Sequence, residues 1–334
     1  MREDLQVSTL SLEEISKLPW VEKYRPKSLD EIINQEEIVA SLRNILETKA
    51  VPHMLFAGPP GVGKTATAHA FARDLFGERY IEDGHFLEIN ASDERGIQTI
   101  REKVKMFARQ IPMGGYGFKI LFLDESDQLT DDAQHAFRRV MEQFSVTCRF
   151  ILAANYSNRI IEPIQSRCAV FRFKPLTKVH VLQFLKRIAD NEGLEVDDQA
   201  LEVIYDFSEG DMRKAINILQ ASSSVSKKID EKAVYQVMGY VSRGEVRKIL
   251  ELALSGKFAD ARDEVRRLLY VQGILPSDIV SAVYRELFFL DLSEEDKLEL
   301  LDLLGEVDYR ISEGATPEVQ LMAFLARLAA KRKR

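Results

Sequence analysis

The sequence predicts an α/β protein in which a parallel sheet, covered by helices on both faces, is followed by two helical regions. Between about residues 29 and 173, short and continuously apolar segments alternate with helical stretches. Such strands are typical of a parallel sheet that is buried on both faces. After Lys174-Pro175-Leu176 the strand signals give way to helical periodicity. These observations predict a sheet domain over residues 1–175, a small helical domain over 176–240 and an all-helical domain over 241–334. The first eighteen residues are expected to form a flexible extension.

The predicted elements alternate regularly along the first region. The strands are expected over residues 53–57, 85–90, 118–124, 149–154 and 169–173. The helices between them are expected over residues 64–76, 97–110, 130–144 and 160–166. In the second region, helices are expected over residues 177–192, 197–208, 211–222 and 230–238, several with Asp or Thr at the start. In the third region, apolar residues from Val246 to Leu254 repeat on one helical face, which predicts an amphipathic helix.

The composition is that of an ordinary soluble globular protein. Hydrophobic residues make up 46% and charged residues 30% of the chain, and the net charge is −7. No apolar run approaches the length needed to cross a bilayer, and the N-terminus does not resemble a signal peptide. The two cysteines, Cys148 and Cys168, are too few for a disulfide framework, which favours a reducing compartment. We expect no membrane partner.

The strongest local signal is the segment Gly58–Thr65, which lies between a predicted strand and a predicted helix. Its glycines let backbone N–H groups curl around phosphate oxygens, and the following helix points its positive end at them. Lys64 can reach the β- and γ-phosphates, and the Thr65 hydroxyl can bind Mg²⁺. We therefore expect ATP and Mg²⁺ as cofactors. The candidate nucleotide-binding residues of this segment are Gly58, Pro59, Pro60, Gly61, Val62, Gly63, Lys64, Thr65 and Ala66.

A second signal is the apolar predicted strand that ends in Asp124 and Glu125. Asp124 can hold Mg²⁺ through water, and Glu125 can polarise the attacking water as general base, which would permit hydrolysis. Asn155, which ends the next predicted strand, can hydrogen-bond that water or the γ-phosphate. Arg167 and Arg213 cannot be distinguished by pattern alone from arginines in surface ion pairs.

Several segments resemble, in their order, the small subunits of replication factor C, which are clamp loaders among the AAA+ ATPases. They are Trp20-Val-Glu-Lys-Tyr-Arg-Pro26, Gly58–Thr65, Asn90-Ala-Ser-Asp-Glu-Arg-Gly96, Asp124-Glu-Ser-Asp127, Ser166-Arg-Cys168 and Gly210-Asp-Met-Arg213. The resemblance extends from about residue 20 through the C-terminal helices and is greatest to the archaeal type. Ser126 stands where the family usually has alanine. Because one small residue replaces another, we expect activity to survive.

The resemblance implies roles for residues around the nucleotide. It places Tyr24, Arg25 and Pro26 near the adenine. It makes Asn155 the first sensor of the γ-phosphate and Arg213, in a small helical lid, the second. It also implies that Asn90 or Arg101 keeps Glu125 away from water until DNA arrives.

The resemblance further implies an assembly and its partners. Arg167 would be an arginine finger that reaches the γ-phosphate bound by a neighbouring subunit. The chain would join a large subunit and other small subunits in a pentameric ring, with the C-terminal helices as a collar. The ring would open the sliding clamp, PCNA, and load it onto primer–template DNA.

The DNA-facing surface implied by the resemblance lies in a locally basic part of the chain. The residues implied to contact DNA phosphates are Arg95, Ile97, Arg101, Arg138 and Arg139. Contacts of this kind give little sequence specificity and a steep dependence on salt. The residues implied to face the clamp are Met106, Phe107, Ile111 and Met113, although ordinary core packing explains apolar residues at helical spacing nearly as well.

Two alternatives share part of this pattern. A different AAA+ motor, such as a branch-migration helicase, would carry the same nucleotide site but a winged helix at its C-terminus. A non-catalytic scaffold subunit would be expected to lack Lys64, Glu125 or Arg167, which are all present. The archaeal interpretation implies a cytoplasmic protein, and a eukaryotic small subunit would be nuclear.

Overall fold

The computed structural model of the chain describes residues 18–93, 95–110 and 116–331. The expected N-terminal extension lies, except for Leu18, outside the described residues. The chain divides into two compact units. The first contains the described residues up to Glu192 together with Ile204–Gln220, and the second contains Gly193–Val203 and the described residues from Ala221 onward. The division into three domains over residues 1–175, 176–240 and 241–334 remains a prediction.

A five-stranded parallel sheet forms the centre of the first unit, as the sequence predicts. Its strands are β1 (His53–Ala57), β2 (Phe86–Asn90), β3 (Lys119–Asp124), β4 (Cys148–Ala154) and β5 (Cys168–Arg172). Their spatial order is β2-β3-β4-β1-β5, and every neighbouring pair is parallel. The register places Asn90 beside Asp124 and Ala57 beside Ala154. The C-terminal ends of β1 to β4 therefore lie at one edge, which collects the loops that follow them.

Helices cover both faces of this sheet. The helices described up to Glu192 are α1 (Trp20–Lys23), α2 (Glu36–Thr48), α3 (Lys64–Phe76), α4 (Ile97–Thr99), α5 (Lys105–Arg109), α6 (Asp131–Gln143), α7 (Glu162–Gln165) and α8 (Lys178–Glu192). One apolar core includes Phe56, Phe71 and Phe122, and a second includes Phe137 and Phe150. Alternate residues of the strands thus supply the two cores, as expected for a sheet that is buried on both faces. The helix predicted over residues 97–110 is divided, because a π-helical turn (Ile100–Val104) separates α4 from α5.

Past α8 the described residues form helices and one short pair of strands. The helices are α9 (Asp198–Ser208), α10 (Met212–Ser223) and α11 (Glu231–Met238). The pair consists of two parallel strands of two residues each in the second unit, β6 (Glu195–Val196) and β7 (Lys228–Ile229). The sequence predicts only helices here, because two residues are too few to show a strand period. Ile229, in β7, is fully buried.

Further along, the described residues of the second unit form five helices. They are α12 (Arg243–Leu254), α13 (Phe258–Arg266), α14 (Pro276–Leu287), α15 (Glu294–Ser312) and α16 (Pro317–Ala330), with a π-helical turn (Arg267–Val271) after α13. The Ser242 side chain and Glu245 form a capping box that starts α12. The predicted apolar face of α12 is buried in the core of this unit. None of the helices in the described ranges combines the length and the apolar character needed to span a bilayer.

Candidate nucleotide-binding site

The phosphate loop (Gly58–Thr65) connects β1 to α3 and depends on glycine at two positions. Gly61 and Gly63 have φ angles of 67° and 97°, which L side chains rarely adopt. A Cβ at Gly61 would also lie 1.8 Å from Asp211 Oδ1. The Met212 N–H donates to the Gly61 carbonyl at 3.1 Å. Because of this close approach, the start of α10 is held directly against the phosphate loop.

The Lys64 amine lies at the edge of the sheet where the predicted catalytic groups converge. It donates to the carbonyl oxygens of Gly58 and Pro59, both at 2.7 Å, and to Asn155 Oδ1 at 2.8 Å. Only 8% of the residue is exposed. Burial lowers the pKa of Lys64 to about 8, with Asp124 and Asp127 acting in the opposite direction. The structure therefore brings the predicted phosphate-binding lysine into contact with the predicted first sensor, Asn155.

The two predicted magnesium ligands are in contact with each other. The Thr65 hydroxyl donates to Asp124 Oδ2 at 2.6 Å, and the Glu125 N–H donates to Asp124 Oδ1 at 2.8 Å. Hydroxyl and carboxylate oxygens are the ligands that Mg²⁺ prefers, and it commonly takes its remaining ligands from phosphates and water. The residues present therefore fit Mg²⁺. Glu125 has a φ of 49°, so its backbone leaves the strand direction directly after Asp124.

The residues after Glu125 connect the end of β3 to the end of β4. The Ser126 hydroxyl donates to the Ala153 carbonyl at 2.8 Å, and the Asn155 N–H donates to Asp127 Oδ1 at 3.2 Å. Ser126 is fully buried and Asp127 is 5% exposed. The serine that departs from the family pattern therefore makes a hydrogen bond that alanine could not make. Sequence reasoning assigned no role to Asp127, although it completes the Asp124–Asp127 motif.

A cleft opens beside the phosphate loop and collects most of the predicted nucleotide-binding residues. Those that line it are Tyr24, Arg25, Pro26, Pro60, Gly61, Val62, Gly63, Lys64, Thr65, Ala66, Asp124, Glu125, Asn155 and Arg213. Gly58 and Pro59 contact Lys64 instead. The apolar part of the wall, which sequence reasoning missed, includes Ile32, Ile33, Leu176, Phe184 and Ile216. These residues come from distant segments, so no local motif identifies them.

Glu192, at the end of α8, anchors the segment implied to lie near the adenine. The Tyr24 hydroxyl and the Lys23 amine both donate to Glu192 Oε1 at 2.6 Å. Burial, together with the hydrogen bond to Glu192, raises the pKa of the Tyr24 hydroxyl. Arg25 pairs with Glu22 at 3.2 Å. Sequence reasoning missed Glu192, because 168 residues separate it from Tyr24.

The two predicted arginines occupy different places. Arg213 lies in the second residue of α10 and lines the cleft, where its charge contributes to the lowered pKa of Lys64. Arg167 is not among the described residues that line the cleft. It is exposed, follows α7, and pairs with Glu142 on α6. Arg213 can therefore act on a nucleotide bound by its own chain, whereas Arg167 lies outside the wall of that cleft.

The residues implied to face DNA are mostly at the surface. Arg95, Arg101 and Arg139 are exposed, and Ile97 and Arg138 are half-buried. The Thr130 N–H, at the start of α6, donates to the Arg95 carbonyl at 3.3 Å, which joins two segments of this region. Their contact with DNA remains a prediction.

The apolar residues implied to face the clamp are divided. Met106 is 64% exposed, whereas Phe107 is buried in the second core and lies under the Lys119 amine. For Phe107 the geometry favours core packing. Ile111 and Met113 lie outside the described residues. The Asn90 side chain accepts from the Ser92 N–H at 2.9 Å, and a restraint of Glu125 by Asn90 or Arg101 stays a prediction.

The parallel sheet, the phosphate loop after β1, the acids after β3 and the polar side chain after β4 together define an ATPase of the AAA class. Three family models support this interpretation along the chain. The model of the ATPase family associated with various cellular activities matches residues 54–176, the RCF1/5-like AAA+ ATPase lid domain matches 183–224, and the Replication factor C C-terminal domain matches 241–327.

Full-length relatives specify the family. The Replication factor C small subunit of Staphylothermus marinus is 53% identical to this chain, and the match covers 96% of the chain and 97% of the relative. The protein of the same name from Sulfolobus acidocaldarius is 54% identical over 93% of the chain and 95% of the relative. This chain belongs to the replication factor C small-subunit family.

Solved structures support the fold. The Thermotoga maritima RuvB Holliday junction branch migration motor superposes with a TM-score of 0.55, covering 81% of this chain and 93% of that chain, at 22% identity. A variant of the same motor has the same TM-score at 23% identity. Likeness at this identity shows a shared fold. The relatives that are about 50% identical favour the replication factor C assignment over the branch-migration alternative.

The lowered pKa of Lys64 predicts that ATP binding takes up protons at alkaline pH. A bound triphosphate favours the charged amine, so binding should raise this pKa again. Near pH 8 about half of the free amines are neutral, so binding should take up roughly half a proton, with little uptake near pH 6.5. Affinity should therefore fall as the pH rises above about 8.

Calorimetry of ATP binding in buffers that differ in ionisation enthalpy measures this uptake. Lys64→Arg serves as the control, because a guanidinium stays charged over this range and should show no uptake from this position. Equal proton uptake by the Lys64 protein and the Lys64→Arg variant would contradict the assignment.

Proposed function

We propose that this chain is an ATP-hydrolysing subunit of a ring-shaped clamp loader that places a sliding clamp on primer–template DNA during replication. The partners are a replication factor C large subunit, other small subunits and the clamp PCNA. The observation that carries the proposal is the cleft at the phosphate loop, with Lys64, Asp124, Glu125 and Asn155 at one sheet edge. Membership of the family over nearly the whole chain supports it.

Each of these groups in the cleft has one role in ATP binding or hydrolysis. Lys64 binds the β- and γ-phosphates, and Asn155 senses the γ-phosphate; the hydrogen bond between Lys64 and Asn155 supports this pairing of roles. Thr65 and Asp124 would hold Mg²⁺, which neutralises charge on the phosphates. Glu125 takes the proton of the attacking water. Tyr24, Arg25 and Pro26 bind the adenine side.

The link between the phosphate loop and α10 supplies a route from nucleotide to conformation. The Gly61 carbonyl accepts a hydrogen bond from the Met212 N–H, and a side chain at position 61 would clash with Asp211. Arg213 directly follows Met212 in α10. A nucleotide whose γ-phosphate attracts Arg213 must therefore also act on the hydrogen bond between Met212 and Gly61. ATP can drive clamp opening only by binding one conformation better than another, and this contact is where that difference would arise.

The remaining parts of the proposal follow the family. Arg167 is the finger offered to a neighbouring subunit, and the helices of residues 241–334 form the collar of a pentamer. DNA phosphates are bound by one surface, which comprises Arg95, Ile97, Arg101, Arg138 and Arg139. The protein acts where the chromosome lies, which is the cytoplasm for the archaeal type that the sequence resembles.

A loading assay on the assembled complex tests the proposal. ATPase activity should rise when both PCNA and primed DNA are present, and labelled PCNA should become topologically linked to circular primed DNA. A complex that contains Lys64→Ala should bind no ATP at this subunit and should load poorly. The proposal would be overturned in favour of branch migration if PCNA and primers left the ATPase activity unchanged while four-way junctions stimulated it.

A further inference from the structure

Arg167 is held by two groups of its own chain. One terminal nitrogen donates to the Pro163 carbonyl at 2.6 Å, and the other donates to Glu142 Oε1. Glu142 lies in the last turn of α6, whereas Arg167 lies between α7 and β5. The contact thus joins the end of one helix to the loop that carries the arginine.

The carboxylate of Glu142 is shared with a second cation. Arg138, one turn earlier on α6, has its Nε 4.0 Å from Glu142 Oε1, farther than Arg167. The Arg138 Nε is buried and makes no hydrogen bond to the described residues. Glu142 is therefore engaged mainly with Arg167.

This ion pair contributes little to the stability of the fold. The Arg167 side chain is 37% exposed and that of Glu142 is 43% exposed, and exposed ion pairs contribute little to stability. The pair instead fixes the orientation of the Arg167 guanidinium, because this group is planar and its N–H donors point in fixed directions. The Pro163 carbonyl accepts from one terminal nitrogen of Arg167, and the Glu142 carboxylate accepts from the other. Within the described residues the guanidinium makes no further hydrogen bond, so its remaining N–H groups are available to a ligand.

We propose that Glu142 is a positioning residue for the arginine finger, holding the Arg167 guanidinium so that its free edge meets the γ-phosphate of a neighbouring subunit. The inference rests on the proposed function, since it requires Arg167 to act in trans. A side chain held in one orientation loses less entropy when it docks on the phosphate. Loss of Glu142 should therefore slow hydrolysis at the neighbour's site and, in a chain that keeps Lys64, leave nucleotide binding at its own site unchanged.

Mixed assemblies separate the effect in trans from any local effect. Lys64→Ala is placed in the finger-donating chain, so that this chain contributes its arginine but binds no nucleotide. Assemblies that contain Lys64→Ala alone are compared with others that contain Lys64→Ala combined with Glu142→Ala, Glu142→Gln or Arg167→Ala. Asp132→Ala, which removes an exposed carboxylate from the first turn of the same helix, is the matched control. Thermal unfolding of each variant checks folding.

We expect Glu142→Ala to lower kcat for the neighbour's ATP about tenfold, less than the 10³-fold or greater loss for Arg167→Ala. Glu142→Gln, which keeps an acceptor oxygen for Arg167, should recover most of the activity, and Asp132→Ala should resemble the parent. If Arg167→Ala has no effect in trans, the proposed finger fails. If Arg167→Ala is severe while Glu142→Ala leaves kcat unchanged or raises it, only the positioning role of Glu142 is overturned.

Discussion

Glu125→Gln is expected to slow ATP hydrolysis by about 10²–10⁴-fold while ATP still binds, because an amide cannot accept a proton from the attacking water. The substitution keeps the shape of the side chain and the backbone N–H bond to Asp124. ATP should therefore remain in the cleft, and the complex should hold the clamp on primed DNA but release it slowly. Single-turnover hydrolysis and clamp-release kinetics measure the two effects separately.

Glu47→Gln is a suitable control, because it removes the same charge from an exposed position near the end of α2. It should leave hydrolysis unchanged. A Glu125→Gln complex that turns over at the parent rate would exclude Glu125 as the general base. The general base would then have to be another carboxylate at the same sheet edge, where Asp127 is the nearest unassigned one in sequence.

Arg167→Ala is expected to lower hydrolysis at the interface by about 10³–10⁵-fold, the range typical of an arginine supplied in trans. Since Arg167 is not among the described residues that line the cleft, ATP binding by the same chain should be unaffected. Equilibrium binding of a fluorescent ATP analogue measures ATP binding, and the steady-state ATPase activity of the assembly measures hydrolysis at the interface.

Arg79→Ala serves as the control, because it removes an exposed arginine that pairs with Asp83 outside the cleft. It should leave the assembled activity intact. Isolated chains that hydrolyse ATP at the rate of the assembly would contradict the trans role, because they would need no neighbour's guanidinium.

The local sequence alone was sufficient to predict those elements whose residue pattern lies within one short segment. The β1 strand, the phosphate loop and α3 were predicted with the bounds that the structure has, because strand, glycines and helix follow one another without interruption. The π-helical turn within residues 97–110 and the strands β6 and β7 were missed. A five-residue π-helical turn continues a helical pattern, and a two-residue strand has no measurable period.

The sequence by itself determined the parallel sheet, the family and the residue types of the nucleotide site, since apolar periodicity and the motif spacing depend on neighbouring positions. Only the tertiary structure showed that Lys64 contacts Asn155, that Tyr24 contacts Glu192 and that Arg167 contacts Glu142. These pairs are separated by 91, 168 and 25 residues. The path of the chain between such distant positions decides which side chains meet, and that path is set by the packing of the whole unit, which no local pattern records.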